Sequence, residues 1–304
     1  MTRATVTGAG GFVGPHLVAH LRANGDDVTE MDLFGPVEID VTDADSALAA
    51  LDAAKPDVVY HLAALSHVGQ SWSSPGRSFR VNAEGTLHVL RACLETGVGR
   101  VVVILSSEVY GNASDESALR EDAPLRPVTP YGASKAAADL VALQMHLADR
   151  LHVVRIRPFG HTGPGQSDQF VVPALAMRIA RAERDDVGEI PVGSLDAVRD
   201  LSDVRDVVRA YRLLALEGVA GEAYNVCSGT GVSIRAIADT LLGHAKRDIR
   251  LVTDPSLVRA VDAPRMVGDN AKLRAATGWE PEFTLDRTLA DVLEAARATV
   301  ATED

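Results

Sequence analysis

The sequence predicts an α/β protein in which helices cover both faces of a parallel sheet, followed by a smaller α/β unit. Three observations indicate this fold: apolar runs alternate with amphipathic stretches, these runs lack the every-second-residue polar pattern of half-exposed strands, and glycines follow the first of them. The alternation becomes irregular in the second half of the 304 residues. We therefore expect two units that differ in regularity.

The strands and helices of the first unit follow one another in a regular order. A short continuous apolar run predicts a strand, and a longer run with apolar side chains every three to four residues predicts a helix. The expected strands are 4–7, 28–32, 58–61, 101–105 and 153–156, and the expected helices are 15–23, 43–53, 78–95 and 133–148. Because helices of this length can carry the chain back between parallel strands, a doubly wound sheet is expected.

The pattern changes after Arg157. Glycines and prolines at 163–165 and Pro173 indicate loops, and the later strands, such as 222–226 and 249–253, stand singly. We predict a dinucleotide-binding domain over residues 1–158 and a substrate-binding cap over 159–304. The helix near 203–216 is expected to return to the first domain, so that the two are interleaved.

Composition argues against several classes of function. The net charge of −12 opposes binding to nucleic acid, and no apolar run approaches the roughly 20 residues that a membrane-spanning helix needs. Cys93 and Cys227 lack the spacing of a disulfide framework or a zinc site, so we expect buried thiols and no metal. The chain enters an apolar strand almost at once, which leaves no room for a signal peptide and predicts a cytoplasmic protein.

Three glycines between the first strand and the first helix form the pattern GxxGxxG. Gly8 permits a tight turn, Gly11 lets backbone N–H groups approach a diphosphate, and Gly14 lets the helix pack close to the sheet. The positive end of the helix dipole favours the same anion. The stretch, which includes Phe12 and Val13, therefore predicts a dinucleotide site.

Two aspartates follow this motif. Asp32 ends the second strand, about 20 residues on, where a carboxylate can accept hydrogen bonds from the adenosine ribose. No arginine comes directly after it, which favours NAD(H), while NADP(H) stays open because a cation can come from elsewhere. Asp40, followed by Val41, could cover the adenine amino group or only cap the next helix.

Tyr131 and Lys135 lie four residues apart in a predicted helix and so share a face. A nearby ammonium group favours the phenolate and should lower the tyrosine pKa from its usual value of about 10, as general acid/base catalysis at an alcohol or ketone requires. The same spacing is common on ordinary surface helices. The prediction therefore depends on the motifs around the pair.

Several motifs occur in a fixed order along the chain. They are the glycine motif, His61-Leu62-Ala63-Ala64, Val81-Asn82-Ala83-Glu84-Gly85-Thr86, Ser106-Ser107-Glu108-Val109-Tyr110-Gly111, the Tyr131/Lys135 pair and Arg157-Pro158. In this order the chain resembles the extended short-chain dehydrogenase/reductase family of nucleotide-sugar epimerases, dehydratases and reductases. The resemblance covers nearly the whole length and implies a Rossmann fold, a nicotinamide cofactor and hydride transfer at a sugar carbon.

The resemblance also implies roles for individual residues. Tyr131 exchanges a proton with the sugar oxygen, Lys135 binds the nicotinamide ribose, and Ser106 hydrogen-bonds the same sugar oxygen. Glu108 either removes a proton beside a transient ketone, as in dehydratases, or supports the site and binds substrate. The remaining implied cofactor contacts are Leu62, Ala63, Ala64, Asn82 and Pro158.

The second half carries a narrower resemblance. The runs at 161–166, 198–200, 224–229, 268–274 and 277–279 look most like the GDP-4-keto-6-deoxy-D-mannose reductases, which make GDP-D-rhamnose. This resemblance implies that Arg199 and Arg259 meet the substrate diphosphate through bidentate contacts, although either could instead be a surface ion-pair partner. The other implied substrate contacts are Ser66, Glu108, His161 and Val171.

Gly160 departs from the family pattern, which commonly has Asn at this position in the loop that touches substrate. Glycine supplies only backbone groups there and makes the loop more flexible. Either the substrate differs, or another side chain replaces the amide.

The leading hypothesis is an NAD(P)H-dependent reductase of the C4 ketone of a GDP-linked 4-keto-6-deoxyhexose. A nucleotide-sugar 4-epimerase would use the same residues but keep NAD bound, and a 4,6-dehydratase or a non-catalytic cofactor sensor are further alternatives. The resemblance also implies a homodimer through the helices near 78–95 and 133–148, with the alanines at 136–138 allowing close approach. The alternative is a helix packed within its own subunit.

Overall fold

The computed structural model describes residues 1–112, 117–257 and 264–303. The strands of these residues are β1 (Arg3–Thr7), β2 (Asp27–Asp32), β3 (Val37–Glu38), β4 (Val58–His61), β5 (Arg100–Ile104), β6 (Val153–Pro158), β7 (Gly160–Thr162), β8 (Glu189–Val192), β9 (Val198–Asp203), β10 (Ala223–Val226), β11 (Gly231–Ser233), β12 (Arg250–Thr253) and β13 (Arg265–Met266). The α-helices are α1 (Val13–Ala23), α2 (Ala44–Ala54), α3 (Val68–Ser73), α4 (Pro75–Phe79), α5 (Gly85–Glu95), α6 (Pro130–Asp149), α7 (Val171–Asp185), α8 (Val204–Glu217), α9 (Ile234–Gly243), α10 (Ala271–Thr277) and α11 (Leu285–Val300).

Seven parallel strands form the central sheet, in the order β10-β6-β5-β4-β1-β2-β3. All four residues of β4 are buried, because helices cover both faces of the sheet. The predicted doubly wound parallel fold is confirmed. The strand order reverses between β1 and β4, which is where such sheets open a ligand crevice at their carboxyl ends.

Two apolar layers hold the helices on the sheet. On one face, α1 and α8 pack over β1, β4 and β6 around Leu17, Tyr211 and Trp279. On the other face, α2, α5 and α6 pack around Leu51 and Leu90. Cys93 lies in this second layer, and both cysteines are buried, as predicted.

The later part of the chain crosses back into the sheet more than the sequence predicts. The helix α8 packs against α1, β5 and β6. In addition β10, which the sequence assigns to the cap, is a strand of the central sheet beside β6. A four-residue strand with all of its side chains buried carries no pattern that indicates its sheet. The division at residue 158 stays a prediction.

The rest of the second half forms its own layer. Helices α7, α9 and α11 share an apolar cluster that includes Ile179, Ile237 and Leu293. Strands β7, β11 and β13 pair with β9, and β8 pairs with β12. Because β7 begins two residues after β6 ends, this layer lies directly above the carboxyl ends of the central strands. No helix of the described residues is long and apolar enough to cross a membrane.

Candidate active site

A cavity of about 690 Å³ lies between the carboxyl edge of the central sheet and the second layer. The glycine loop lines one end, the residues after β4 and β5 line the floor, and residues 158–162 line the other wall. The predicted residues that line it are Gly8, Gly11, Phe12, Val13, Gly14, Asp32, Asp40, Val41, Leu62, Ala63, Ala64, Ser66, Ser106, Glu108, Tyr131, Lys135, Pro158, His161, Val171 and Arg199. Arg259 lies outside the described residues.

The glycine loop has no room for larger side chains. Gly8 has a φ of +73°, and a Cβ there would lie 2.6 Å from the backbone nitrogen of Ala63. A Cβ at Gly14 would overlap the carbonyl group of Ala9. The backbone of this loop therefore packs tightly on the strand ends, as a diphosphate cradle at a helix N-terminus requires.

The two aspartates beside the loop make different contacts. One carboxylate oxygen of Asp32 accepts from the backbone nitrogen of Gly10 at 2.9 Å, and the other accepts from that of Leu33 at 2.8 Å. Asp40 accepts from the backbone and the hydroxyl of Thr42 at 2.9 and 2.8 Å. The cap of α2 is Asp43 and not Asp40, so the capping alternative for Asp40 is wrong. Asp40 instead fixes a turn at the cavity wall.

Tyr131 is placed by the start of α6, three residues earlier than the sequence predicts. Thr129 caps this helix by accepting from the backbone nitrogen of Gly132 at 2.9 Å. The backbone nitrogen of Tyr131 donates to the hydroxyl of Ser71 at 3.1 Å. The side chain of Ser106, two residues after β5, lies close enough to the Tyr131 hydroxyl to lower its pKa. The two hydroxyl groups thus meet at the cavity floor.

The predicted lowering of the Tyr131 pKa by Lys135 is wrong for this structure. Burial raises the pKa of Tyr131, the Ser106 side chain lowers it, and the charge of Glu108 raises it. The net result is a pKa of about 12. Burial lowers the pKa of Lys135 to about 7. Its Nζ donates to the carbonyl oxygen of Ile104 at 2.8 Å, and Lys135 is not among the groups that shift Tyr131. Burial of both side chains, and not the attraction between their charges, therefore sets the direction of the two pKa shifts.

Asn82 does not line the cavity as the resemblance implies. It lies in a π-helical stretch, Arg80–Glu84, that interrupts the predicted helix 78–95. Its amide accepts from the backbone nitrogen of Leu65 at 2.8 Å and donates to the Leu65 carbonyl at 3.0 Å and to the Ser134 hydroxyl at 2.9 Å. Because these bonds use the amide, Asn82 holds the loop after β4 against α6 from behind the wall.

The cap side of the cavity is fixed by a buried carboxylate that the sequence does not single out. Asp200 accepts from the backbone nitrogens of Ser228, Gly229 and Gly268 at 2.8, 2.9 and 3.3 Å. Burial raises its pKa. Beside it, Arg199 lines the cavity and donates to the Val198 carbonyl at 2.8 Å. The carboxylate therefore ties three segments together behind the substrate wall.

The neighbouring strand leaves no room for a side chain at Gly160. A Cβ at Gly160 would lie 2.8 Å from the carbonyl oxygen of Asp200, because β7 and β9 pair closely here. The sequence shows that the amide is missing but carries no sign of this contact between two strands. The lining residues that no sequence motif indicates are Leu65, Val68, Arg77, Phe170 and Met266, which reach the cavity from loops and short elements.

Comparison with known proteins identifies the family. Residues 5–292 match the family model described as GDP-mannose 4,6 dehydratase. The chain belongs to this family. It is 37% identical to the GDP-6-deoxy-D-mannose reductase of Pseudomonas aeruginosa, over 96% of each chain. It is 29% identical to the GDP-6-deoxy-D-talose 4-dehydrogenase of Aggregatibacter actinomycetemcomitans, over 93% of this chain and 94% of the other.

Two solved structures are similar over almost the whole chain. The structure of RMD from Pseudomonas aeruginosa complexed with NADPH has a TM-score of 0.90 at 35% identity, covering 98% of this chain and 100% of that one. The Thermus thermophilus UDP-glucose 4-epimerase complex with NAD has a TM-score of 0.88 at 27% identity, covering 97% and 99%. The predicted membership of a nucleotide-sugar oxidoreductase family with a Rossmann fold is confirmed.

Proposed function

We propose that this protein is an NAD(P)H-dependent reductase of the C4 ketone of a nucleotide-linked 4-keto-6-deoxyhexose, converting GDP-4-keto-6-deoxy-D-mannose to GDP-D-rhamnose. The observation that carries the proposal is the pair of Ser106 and Tyr131, whose side chains interact at the floor of a cavity that ends at the glycine loop. The GDP-linked substrate is supported by the names of the two relatives above.

The cavity fits a nicotinamide dinucleotide. The tight backbone at Gly8 and Gly14 leaves N–H groups at the start of α1 for a diphosphate. The Asp32 carboxylate, already oriented by two backbone N–H groups, has lone pairs left for ribose hydroxyls. Lys135 lies deeper in the same cavity, where its Nζ can hold the second ribose. The bound cofactor supplies the hydride that reaches the sugar carbon.

The protein supplies the proton and holds the sugar oxygen. A ketone oxygen gains charge as the hydride arrives, so it needs a donor within about 3 Å and a proton. Ser106 and Tyr131 provide both. Because burial raises the pKa of Tyr131 to about 12, the phenol keeps its proton near neutral pH, which is the form that a reduction consumes. The carboxylate of Glu108 strengthens this effect, which gives it a supporting role beside substrate binding.

The direction of this pKa shift supports the reductase over the epimerase alternative. An epimerase begins by oxidising a sugar alcohol, so its tyrosine must first accept a proton. A tyrosine with a raised pKa is protonated at neutral pH, which is the form that a reduction consumes and not the form from which an oxidation starts. The likeness to the UDP-glucose 4-epimerase keeps the second candidate open. It predicts that the purified protein carries tightly bound NAD.

We propose that NADH is preferred to NADPH. A 2′-phosphate would lie beside the Asp32 carboxylate, and the next two residues are the apolar Leu33 and Phe34. The similar RMD structure was obtained with NADPH, so the preference of this chain would differ from that cofactor. A lower Michaelis constant for NADH supports the proposal, and the reverse order contradicts it.

The function is tested by offering GDP-4-keto-6-deoxy-D-mannose with NADH or NADPH and following the loss of nicotinamide absorbance. A reductase oxidises one cofactor molecule for each sugar reduced, and the product is identified by its stereochemistry at C4. Tyr131→Phe is the matched control, since it removes the proton donor and keeps the ring. No loss of absorbance, together with bound NAD in the purified protein, favours the epimerase.

We also propose a homodimer formed through α5 and α6, on a different surface from that predicted. Of the three predicted alanines, Ala136 and Ala138 are buried within the subunit, and Ala137 is half-buried. The outer faces of these helices expose Leu94, Leu140 and Leu147 instead. These leucines are exposed on two helices that contact each other, and we propose that a second subunit covers them. Leu140→Glu combined with Leu147→Glu should give monomers in size-exclusion chromatography with light scattering.

A further inference from the structure

An aromatic stack joins the first turn of α1 to the loop 160–166 on the cap side of the cavity. The rings of Phe12 and His161 are nearly parallel, with centroids 6.1 Å apart and an interplanar angle of 8°. The ring of His16 meets Phe12 edge-on at 5.6 Å, and its Nε2 lies 3.0 Å from the carbonyl oxygen of Pro164. We call these four residues the clasp: Phe12, His16, His161 and Pro164.

The cap end of the clasp is a well-ordered unit. Its first three residues form β7, which pairs with β9. The side chain of Gln166 accepts from the Thr162 hydroxyl at 2.7 Å and donates to the His161 carbonyl at 3.1 Å. The Nδ1 of His161 lies 2.9 Å from the Phe159 carbonyl and therefore carries the proton of that bond. A shift at the clasp moves the whole loop and not one side chain alone.

The other end of the clasp belongs to the glycine loop. Phe12 is the residue directly before α1, between Gly11 and Gly14, where backbone N–H groups are available to a diphosphate. An anion bound there fixes the Phe12 backbone and, through it, the ring that stacks on His161. A methyl group at Gly163 would reach the Phe12 ring as well, with its Cβ 3.9 Å from the Phe12 Cζ. Phe12 thus contacts both sides of the cavity.

We propose that the clasp couples the cofactor's diphosphate site to the loop 160–166, with Phe12 and His16 acting as positioning residues. The proposal rests on the proposed function only in requiring a dinucleotide at the glycine loop. Occupancy of that loop holds the clasp closed and orders the wall of the sugar side. By reciprocity, a sugar nucleotide held by the ordered wall strengthens cofactor binding by the same factor.

The test uses ADP-ribose, which fills the adenosine and diphosphate part of the site and has no nicotinamide to touch the loop directly. Hydrogen exchange is measured for peptides covering 160–166, with and without this ligand. We expect ADP-ribose to slow exchange by about fivefold or more in the wild type, the lower end of usual coupling strengths. His16→Ala should abolish most of this slowing.

Two further variants and one control sharpen the result. His16→Gln keeps a side-chain N–H donor for Pro164 and should restore most of the protection. Phe12→Leu removes the stack while keeping apolar volume, and should lose protection even though His16 is intact. His20→Ala removes a histidine one turn further along α1 that is no part of the clasp, and should behave like the wild type.

The outcomes distinguish this coupling from the proposed function. Equal protection in the wild type and His16→Ala, or ADP-ribose binding without any protection of the loop, overturns the coupling. If the protection depends on the clasp but the protein does not reduce the keto sugar, the coupling is supported and only the reductase proposal is contradicted. Failure of ADP-ribose to bind, measured by calorimetry, overturns the coupling and the cofactor site together.

Discussion

The two walls of the cavity are built in different ways. On the cofactor side, the backbone itself fills the space, and added methyl groups at Gly8 or Gly14 would meet backbone atoms of Ala63 or Ala9. On the cap side, a buried carboxylate holds the loops: Asp200 accepts from the backbone N–H groups of Ser228, Gly229 and Gly268.

This difference predicts which of the two walls tolerates substitutions. A wall made of backbone permits almost no substitution, which suits a cofactor common to many relatives. The cap wall is made of loops that buried side chains hold in place. Residues of these loops that face the substrate can be substituted while the buried side chains keep the loops in position. Ser106 and Tyr131 lie on the floor between the two walls, so the proposed function assigns chemistry and specificity to different elements.

Tyr131→Phe should have the largest effect and should affect neither wall. The variant keeps the buried ring but has no proton to give, so turnover should fall by about 100-fold or more, within the usual range for general acid catalysis. Cofactor affinity should stay within about twofold, because the cradle is untouched. Steady-state turnover and cofactor titration measure the two quantities separately, and near-normal turnover contradicts the proposed mechanism.

Gly14→Ala tests the backbone wall. The new methyl group overlaps the Ala9 carbonyl, and relief of that overlap must move α1 away from the sheet. Overpacking of this kind costs about 1–3 kcal/mol of unfolding free energy, and cofactor affinity should fall with it. Gly76→Ala is the matched control, because its Cβ would have nothing within 4 Å. Equal stability and equal cofactor affinity of the two variants, from urea unfolding and titration, would show that the wall is not rigid.

Gly160→Asn tests the cap wall. The substitution introduces the side-chain amide whose absence the sequence comparison with the family noted, yet its Cβ would lie 2.8 Å from the Asp200 carbonyl. We expect the Michaelis constant for the sugar nucleotide to rise by about threefold to tenfold, since a shift of β7 from β9 costs on the order of 1 kcal/mol. The Michaelis constant for the cofactor should change less. A lower constant for the sugar would mean that the strands yield and that the amide is gained.

The sequence predicts the cofactor wall better than the cap wall for a physical reason. The glycine spacing and Asp32 act through local backbone geometry, which a short motif specifies completely. The placement of β10 in the central sheet depends on pairing with β6, far away in the chain. The contact of Gly160 with the Asp200 carbonyl depends on the distance between two strands. Neither leaves a local pattern.

The same limit explains the tyrosine pKa. The spacing of Tyr131 and Lys135 is visible in the sequence, and the attraction between their charges could be expected from it. Whether burial outweighs this attraction depends on the elements that enclose the pair, including β5 and the Ile104 carbonyl that Lys135 contacts. Asn82 shows the same effect, since its bonds to Leu65 and Ser134 become visible only when the chain is folded.

Lys135 tests the floor where the two walls meet, and its effect is on the pH dependence of stability. Its pKa is lowered to about 7 in the folded protein, while in the unfolded chain a lysine has its usual value of 10.5. Between these values the unfolded chain binds more protons, so this group makes folding more favourable as pH rises from about 7 to 10. Below pH 7 both states are charged, and the folded protein carries the full cost of burying the ammonium group.

The comparison of wild type with Lys135→Met isolates this contribution, because the other titrating groups are common to both proteins. Methionine fills a similar volume without charge, so the variant should be the more stable protein at pH 6 and should lose that advantage steadily as pH approaches 10. Urea unfolding at several pH values without ligand measures the difference. A difference that does not depend on pH would mean that Lys135 keeps its ordinary pKa in the fold, and that burial does not neutralise the cation at the cavity floor.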